Sequence, residues 1–233
     1  TKVSTSGELM YCLNIHKYTA QNSTAYLVGE LDAGVAYIML NGYPTKSFTG
    51  EKLKDYYITQ TALWWYLDDT TGSSNLSASF KKNGSDKYNL RPYIKQLVSG
   101  AKTAKEKGYA KTTISASVSD NIMSMTSDGK NYVSEEVKVS STNISEYKVS
   151  ITSGPEGTTV IDNNGKEKNT FSSNETFKVK VPVSKVDNMK ETIKVKISAT
   201  GKVYKAYEYQ PEVQNQQNIT PSIISPEEQN VET

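Results

Sequence analysis

Cys12 is the one cysteine in the chain, and His16, four positions later, is the one histidine. A thiol with an imidazole nearby is the pairing that activates a cysteine nucleophile. Their setting argues against it. Glu8 to His16 alternates as a half-buried strand, with Leu9, Tyr11, Leu13 and Ile15 on one face and Met10, Cys12, Asn14 and His16 on the other. Four strand residues at ~3.3 Å each put the two Cα atoms ~13 Å apart, too far for a thiol–imidazole contact. The second residue out of place is Gln60. Leu53, Tyr56, Tyr57, Gln60, Leu63, Trp64 and Leu67 recur at spacings of three and four, so Gln60 points into the apolar stripe of a helix. An unpartnered buried amide costs roughly 2–7 kcal/mol, and a hydrogen bond to backbone is its ordinary remedy. A lone buried cysteine is ordinarily a small hydrophobe.

The elements that must position these residues follow from pattern. The chain has 233 residues, the size of one large domain or two small ones. Leu31–Leu40 reads as a small-residue helix stopped by Asn41-Gly42 and Pro44. Glu51 to Gly108 reads as helical, with Gly72 closing the first helix. Asn89 caps a second that has Pro92 in its first turn and runs through Tyr93, Leu97 and Ala101. From Ala110 onward the period becomes 2. Thr112–Val118, Val137–Val139, Tyr147–Ile151, Phe177–Val183, Ile193–Ile197 and Val203–Tyr209 are the predicted strands, parted by turn clusters such as Asn163-Asn164-Gly165. The fold class expected is α+β, mainly β: an antiparallel β-sandwich with an inserted helical subdomain.

Composition excludes much else. Lys+Arg 27 against Asp+Glu 25 leaves no basic excess for a phosphate backbone, so no nucleic-acid partner is expected. No run of ~18 apolar residues predicts a membrane span. One cysteine and one histidine remove disulfide frameworks, Cys-based zinc sites and most triad chemistry, and neither a metal nor a cofactor is expected. The start at Thr1, without initiator Met or signal-like segment, reads as a mature or excised fragment. Polar residues 227–233 read as a linker. Six Asn-x-Ser/Thr sequons, at Asn22, Asn75, Asn83, Asn143, Asn174 and Asn218, are what a chain this rich in Asn, Ser and Thr produces by chance.

Tyr11-Cys12-Leu13, followed by Thr59-Gln60-Thr61-Ala62-Leu63-Trp64, resembles the paired signature of the bacterial thioester domain. That family is found at the exposed tips of Gram-positive surface and pilus adhesins. An aromatic-Cys strand and a Thr-Gln-x-Ala-Ile/Leu-Trp helix start supply the two halves of an internal Cys–Gln thioester. Leu63 stands in the aliphatic position. Asn41-Gly42-Tyr43-Pro44, Gly201–Tyr207 and Thr220-Pro221-Ser222 are also similar to the family, so the resemblance spans about Glu8 to Pro226.

The resemblance implies one composite domain over 1–226, with the β-sandwich drawn from 1–48 and 109–226 and the helical insert at 49–108. An alternative boundary near Ser134 would leave a separate immunoglobulin-like domain. It implies a Cys12–Gln60 cross-link packed by Tyr11, Tyr57, Thr59 and Trp64. The chain would be a single-turnover covalent binder rather than an enzyme, monomeric within a longer protein, secreted and anchored to the cell wall of a Gram-positive bacterium. Its partner would be a host surface, plasma or matrix protein, whose lysine amine attacks the acyl carbon. His16 could assist proton transfer if the sheet turns it toward the bond. Two readings compete: a noncovalent immunoglobulin-like binding or spacer module in which Cys12 and Gln60 are merely packed, and a cysteine-nucleophile enzyme, which the single distant histidine disfavours.

Overall fold

A computed structural model of the chain describes residues 2–72, 76, 84–107, 111–187 and 191–233. It opens with strands β1 (Lys2–Val3), β2 (Leu9–Cys12) and β3 (Ala25–Glu30), then helices α1 (Ala33–Asn41), α2 (Lys52–Thr71) and α3 (Arg91–Glu106). Nine strands follow: β4 (Thr113–Val118), β5 (Met123–Met125), β6 (Asn131–Ser134), β7 (Val137–Thr142), β8 (Glu146–Ser153), β9 (Thr159–Ile161), β10 (Thr170–Ser172), β11 (Lys178–Pro182) and β12 (Lys194–Tyr204). The chain ends with β13 (Tyr207–Pro211), β14 (Ile219–Pro221) and β15 (Pro226–Glu232). Mainly antiparallel β with helices near the front is the expected class.

The chain divides into two units, Thr1–Ala110 with Tyr204–Glu227, and Lys111–Val203 with Glu228–Thr233. Neither the single span 1–226 nor the alternative boundary near Ser134 coincides with this division. The single span rested on the resemblance and on the order of strand, helices and strands, neither of which registers that residues 204–227 return to the first unit. Residues expected as a linker at 227–233 are largely strand instead. β15 lies beside β12, and a polar sequence serves there because an edge strand keeps one side open to water.

In the first unit the sheet runs β1-β2-β14-β13-β3. β2 is therefore central, with both neighbours antiparallel. Tyr11, Cys12 and Leu13 are all buried although alternation predicts one open face, because residues of α1 and α2 pack on the strand. Beyond Cys12 the chain leaves the strand, so the predicted extension to His16 is not formed. Asp32 gathers the helices. It caps α1 by accepting from the Gly34 and Val35 amides, accepts from the Tyr66 hydroxyl of α2 at 2.6 Å, and lies 3.3 Å from the Lys105 ammonium of α3.

Helix α2 is buried almost all round over residues 58–67. One side packs Ile58, Ala62 and Trp65 against Leu90, Ile94, Leu97 and Val98, and the other puts Leu63, Tyr66 and Leu67 against Tyr11, Leu13 and α1. It ends at Gly72, whose left-handed φ of 67° suits glycine. Asn89 does not cap α3. The Asp86 carboxylate does, accepting from the Leu90 and Arg91 amides. The predicted end of that helix at Gly108, the start of period-2 patterning at Ala110, and the sequons at Asn75 and Asn83 lie outside the described residues.

The second unit is a sandwich. Sheets β10-β8-β12-β15 and β5-β6-β11-β9 share one core of Tyr147, Val149, Phe171 and Ile197 against Val160, Phe177 and Val179, and β4 pairs with β7. Burial pushes the Tyr147 phenol up to about 12, so it stays a donor to the Glu175 carbonyl.

Candidate functional site

On β2, Leu13 donates its N–H to the Asn218 carbonyl at 2.8 Å, one pair beyond the Cys12–Ile219 pair. Antiparallel ladders alternate, so the N–H and C=O of Cys12 face away from β14. β1 pairs only with Leu9 and Met10 and does not reach them. Two backbone groups at a buried residue then need partners, and leaving either unpaired is costly.

Gln60 supplies both. Its Oε1 accepts from the Cys12 N–H at 2.9 Å and its Nε2 donates to the Cys12 carbonyl at 2.8 Å. The carboxamide takes the place of a neighbouring strand's peptide. Cys12 is 4% exposed and Gln60 6%. The backbone hydrogen bond expected as the ordinary explanation of a buried glutamine is therefore present, and its partner is the residue that carries the thiol.

The helix grips the strand at a second point one turn earlier. Tyr56 donates its hydroxyl to the Met10 carbonyl at 3.1 Å. Four helical residues advance about 6 Å and two strand residues about 6.6 Å, so Tyr56 and Gln60 match Met10 and Cys12 in step. The Tyr56 ring also stacks on Tyr11, with centroids 4.9 Å apart and planes 17° from parallel.

Tyr11 and Thr59, the residues before Cys12 and Gln60, converge on Tyr43. The Tyr11 hydroxyl donates to the Tyr43 carbonyl at 2.6 Å, and the Tyr43 N–H donates to Thr59 Oγ1 at 2.8 Å. Thr59 donates back along α2 to the Asp55 carbonyl at 3.0 Å. Burial pushes the Tyr11 phenol well above its usual value, which keeps the hydroxyl protonated and donating.

Asp55, 1% exposed in the first turn of α2, anchors the loop that delivers Tyr43. Its carboxylate accepts from the Ser47 hydroxyl at 2.5 Å and from the Thr49 hydroxyl and amide at 2.8 and 2.9 Å. Burial favours the neutral acid, but these donors prevail and hold the carboxyl below its ordinary range.

The expected neighbours sort unevenly. Tyr11 and Thr59 lie within this arrangement. Tyr57 is 46% exposed and faces outward, and Tyr56 occupies the place expected for it, because stepping three rather than four residues from Gln60 crosses to the open side of α2. Leu53, placed on the same stripe, is 75% exposed. Trp64 is half-buried, and the indole fully in the core is that of Trp65. His16 is exposed in the turn after β2. Thr220-Pro221-Ser222 forms and ends β14, with Thr220 directly opposite Tyr11. Sequence reading missed Asp55, and its signal was an acid one turn ahead of Thr59 with Ser47 and Thr49 upstream. Among the described residues no cluster of His, Cys, Asp and Glu suits a metal ion, and no helix is long and apolar enough to cross a membrane.

Residues 9–103 match the family model described as the thioester domain. Among solved structures, the Bacillus anthracis TIE protein superposes on 99% of this chain and 42% of its own, with a TM-score of 0.72 and 22% identity. The chain thus spans less than half of that protein. The thioester domain of the Enterococcus faecium TIE86 protein superposes on 99% of this chain and 84% of its own, with a TM-score of 0.60 and 19% identity. At these identities the structural likeness speaks for the fold. No curated protein matches the chain. The matched segment holds Cys12, Tyr43, Asp55, Thr59 and Gln60 together, so the part of the chain similar to the thioester domain family is the part that carries the site.

Proposed function

We propose that Cys12 and Gln60 close an internal thioester, and that the chain uses it to attach itself covalently to a lysine amine on a host surface, plasma or matrix protein. The observation that carries this reading is the two-point hydrogen bond that seats the Gln60 carboxamide on the backbone of Cys12. The Cys12 sulfur, as thiolate, attacks Gln60 Cδ; the S–Cδ bond forms, the Cδ–Nε2 bond breaks, and ammonia leaves with the thiol proton. A primary amide is a poor electrophile, so the drive must come from position, and well-oriented groups gain about 7–11 kcal/mol that way. Low exposure at both residues limits water around the acyl group.

An incoming amine then adds to the same carbon. Cys12 departs as thiolate and an amide joins residue 60 to the partner. Nothing regenerates the glutamine, so the event is single-turnover and the chain is a reactive binder rather than an enzyme. Thioester domains occur in bacterial surface proteins, which suits this chemistry, and the placement proposed is the wall of a Gram-positive cell, within a longer protein.

Intact mass tests the reading. The thioester lowers the mass computed from sequence by one ammonia, about 17 Da, and either Cys12→Ala or Gln60→Ala abolishes the deficit. A wild-type mass equal to the sequence value, with Gln60 still an amide and the thiol fully titratable after denaturation, would establish the noncovalent module instead.

A further inference from the structure

Tyr43 bridges the residues that precede the two halves of the cross-link, and it does so through its main chain. Its carbonyl accepts from Tyr11, which precedes Cys12, and its N–H donates to Thr59, which precedes Gln60. Both contacts are short, at 2.6 and 2.8 Å. Strand and helix are 48 residues apart in sequence, and besides Tyr43 they are joined directly by Gln60 on Cys12 and by Tyr56 on Met10. The residue before Tyr43 lets it come so close. A Cβ on Gly42 would lie 2.4 Å from Thr59 Cγ2, 2.8 Å from Thr59 Oγ1 and 2.7 Å from the Ile38 carbonyl. Two of those atoms belong to the threonine that holds Tyr43, and the third is backbone. Gly42 itself has φ −100°, which any residue adopts. Space rather than conformation demands glycine here.

We propose that the Tyr43 peptide, admitted by Gly42 and anchored from behind by Asp55, is the positioning element that sets the reach from Cys12 to Gln60. This rests on the thioester reading and assigns the work of alignment within it. Thr59 and Tyr11 hold no reacting atom. They fix the residues next to the two that do, so a shift of Tyr43 is passed to both sides of the bond. The Asp55 carboxylate keeps the loop from Ser47 to Thr49 on the start of α2, and that loop leads back to Tyr43 within four residues.

The experiment follows the ammonia-deficient species in full chains made by cell-free synthesis, sampled by intact mass over time. The variants are Gly42→Ala, Thr59→Val, Thr59→Ser and Tyr11→Phe. Val98→Ala, in the cluster between α2 and α3, serves as a control for lost stability away from Tyr43. Misplacement by about 1 Å slows such reactions about 10²-fold. Thr59→Val and Gly42→Ala should form the thioester about that much more slowly than wild type, with circular dichroism showing a folded chain. Thr59→Ser, which keeps the hydroxyl, should restore the rate, and Tyr11→Phe should slow it. Val98→Ala, although less stable, should keep the wild-type rate. If folded Thr59→Val and Gly42→Ala close the bond as fast as wild type, Tyr43 sets nothing. The same holds if all variants slow only in proportion to stability. Absence of the ammonia-deficient species from wild type itself would overturn the thioester reading rather than the role of Tyr43.

Discussion

Gln60 and Cys12 are paired as two strands would be: the side-chain amide of one meets the peptide N–H and C=O of the other at 2.9 and 2.8 Å. Glutamine fits because it alone has a donor and an acceptor at the end of a chain long enough to leave the helix. Its isostere glutamate has no donor. In a Cys12→Ala background, where no thioester can form, Gln60→Glu should therefore destabilise the chain by about 1–3 kcal/mol. Urea unfolding of the two proteins gives the difference. The hydrolysed thioester carries the same glutamate and should share the loss.

Methylamine offered to the intact protein should add once, at residue 60, and release one titratable thiol. Peptide mapping locates the adduct. Addition at a second site, or continued release of ammonia, would mark a turnover enzyme instead.

Tyr56→Ala removes the ring stacked on Tyr11 and the bond to the Met10 carbonyl, together about 1–3 kcal/mol. It should also shorten the life of the ammonia-deficient species in buffer, since the stacked pair flanks the strand beside Cys12. Tyr56→Phe keeps the ring and should keep the lifetime. Equal lifetimes in all three proteins would remove Tyr56 from the shielding of the bond.

Asp55→Asn should cost about 2–4 kcal/mol at neutral pH, because the amide cannot accept from Ser47 and Thr49 as a carboxylate does. The wild-type carboxyl is held below the ordinary value of about 3.9. A group depressed on folding contributes fully above its unfolded pKa and loses that contribution as the pH falls through the folded value. The gap between wild type and variant should thus be constant near pH 7 and shrink below about pH 4. Thermal unfolding from pH 7 to pH 3 measures it.

What could be read from the sequence was what local chemistry writes in residue type. Cys12 and Gln60 stood out because each violates its surroundings, and helices α1, α2 and α3 followed from spacing and terminators. The choice between Tyr56 and Tyr57 was not legible, since both are aromatic and both fit a three-or-four rhythm; only the direction from which β2 arrives decides. Asp55 looked like any first-turn acid, because its donors sit upstream in a loop without pattern. β14 is three residues long and contains Pro221, so neither alternation nor propensity marks it, yet it is the strand beside the cysteine. Leu90 and Arg91 take their cap from Asp86, a loop contact that Asn89, nearer in sequence, obscured.

That late strand has a consequence in time. β2 is synthesised some two hundred positions ahead of its neighbour β14, which pairs with it from residues 219–221. The sheet that buries Cys12 cannot assemble before residues 219–221 are made. The thiol therefore stays uncommitted until residues 219–221 are present, and the proposed cross-link to Gln60 would close only after that strand has docked.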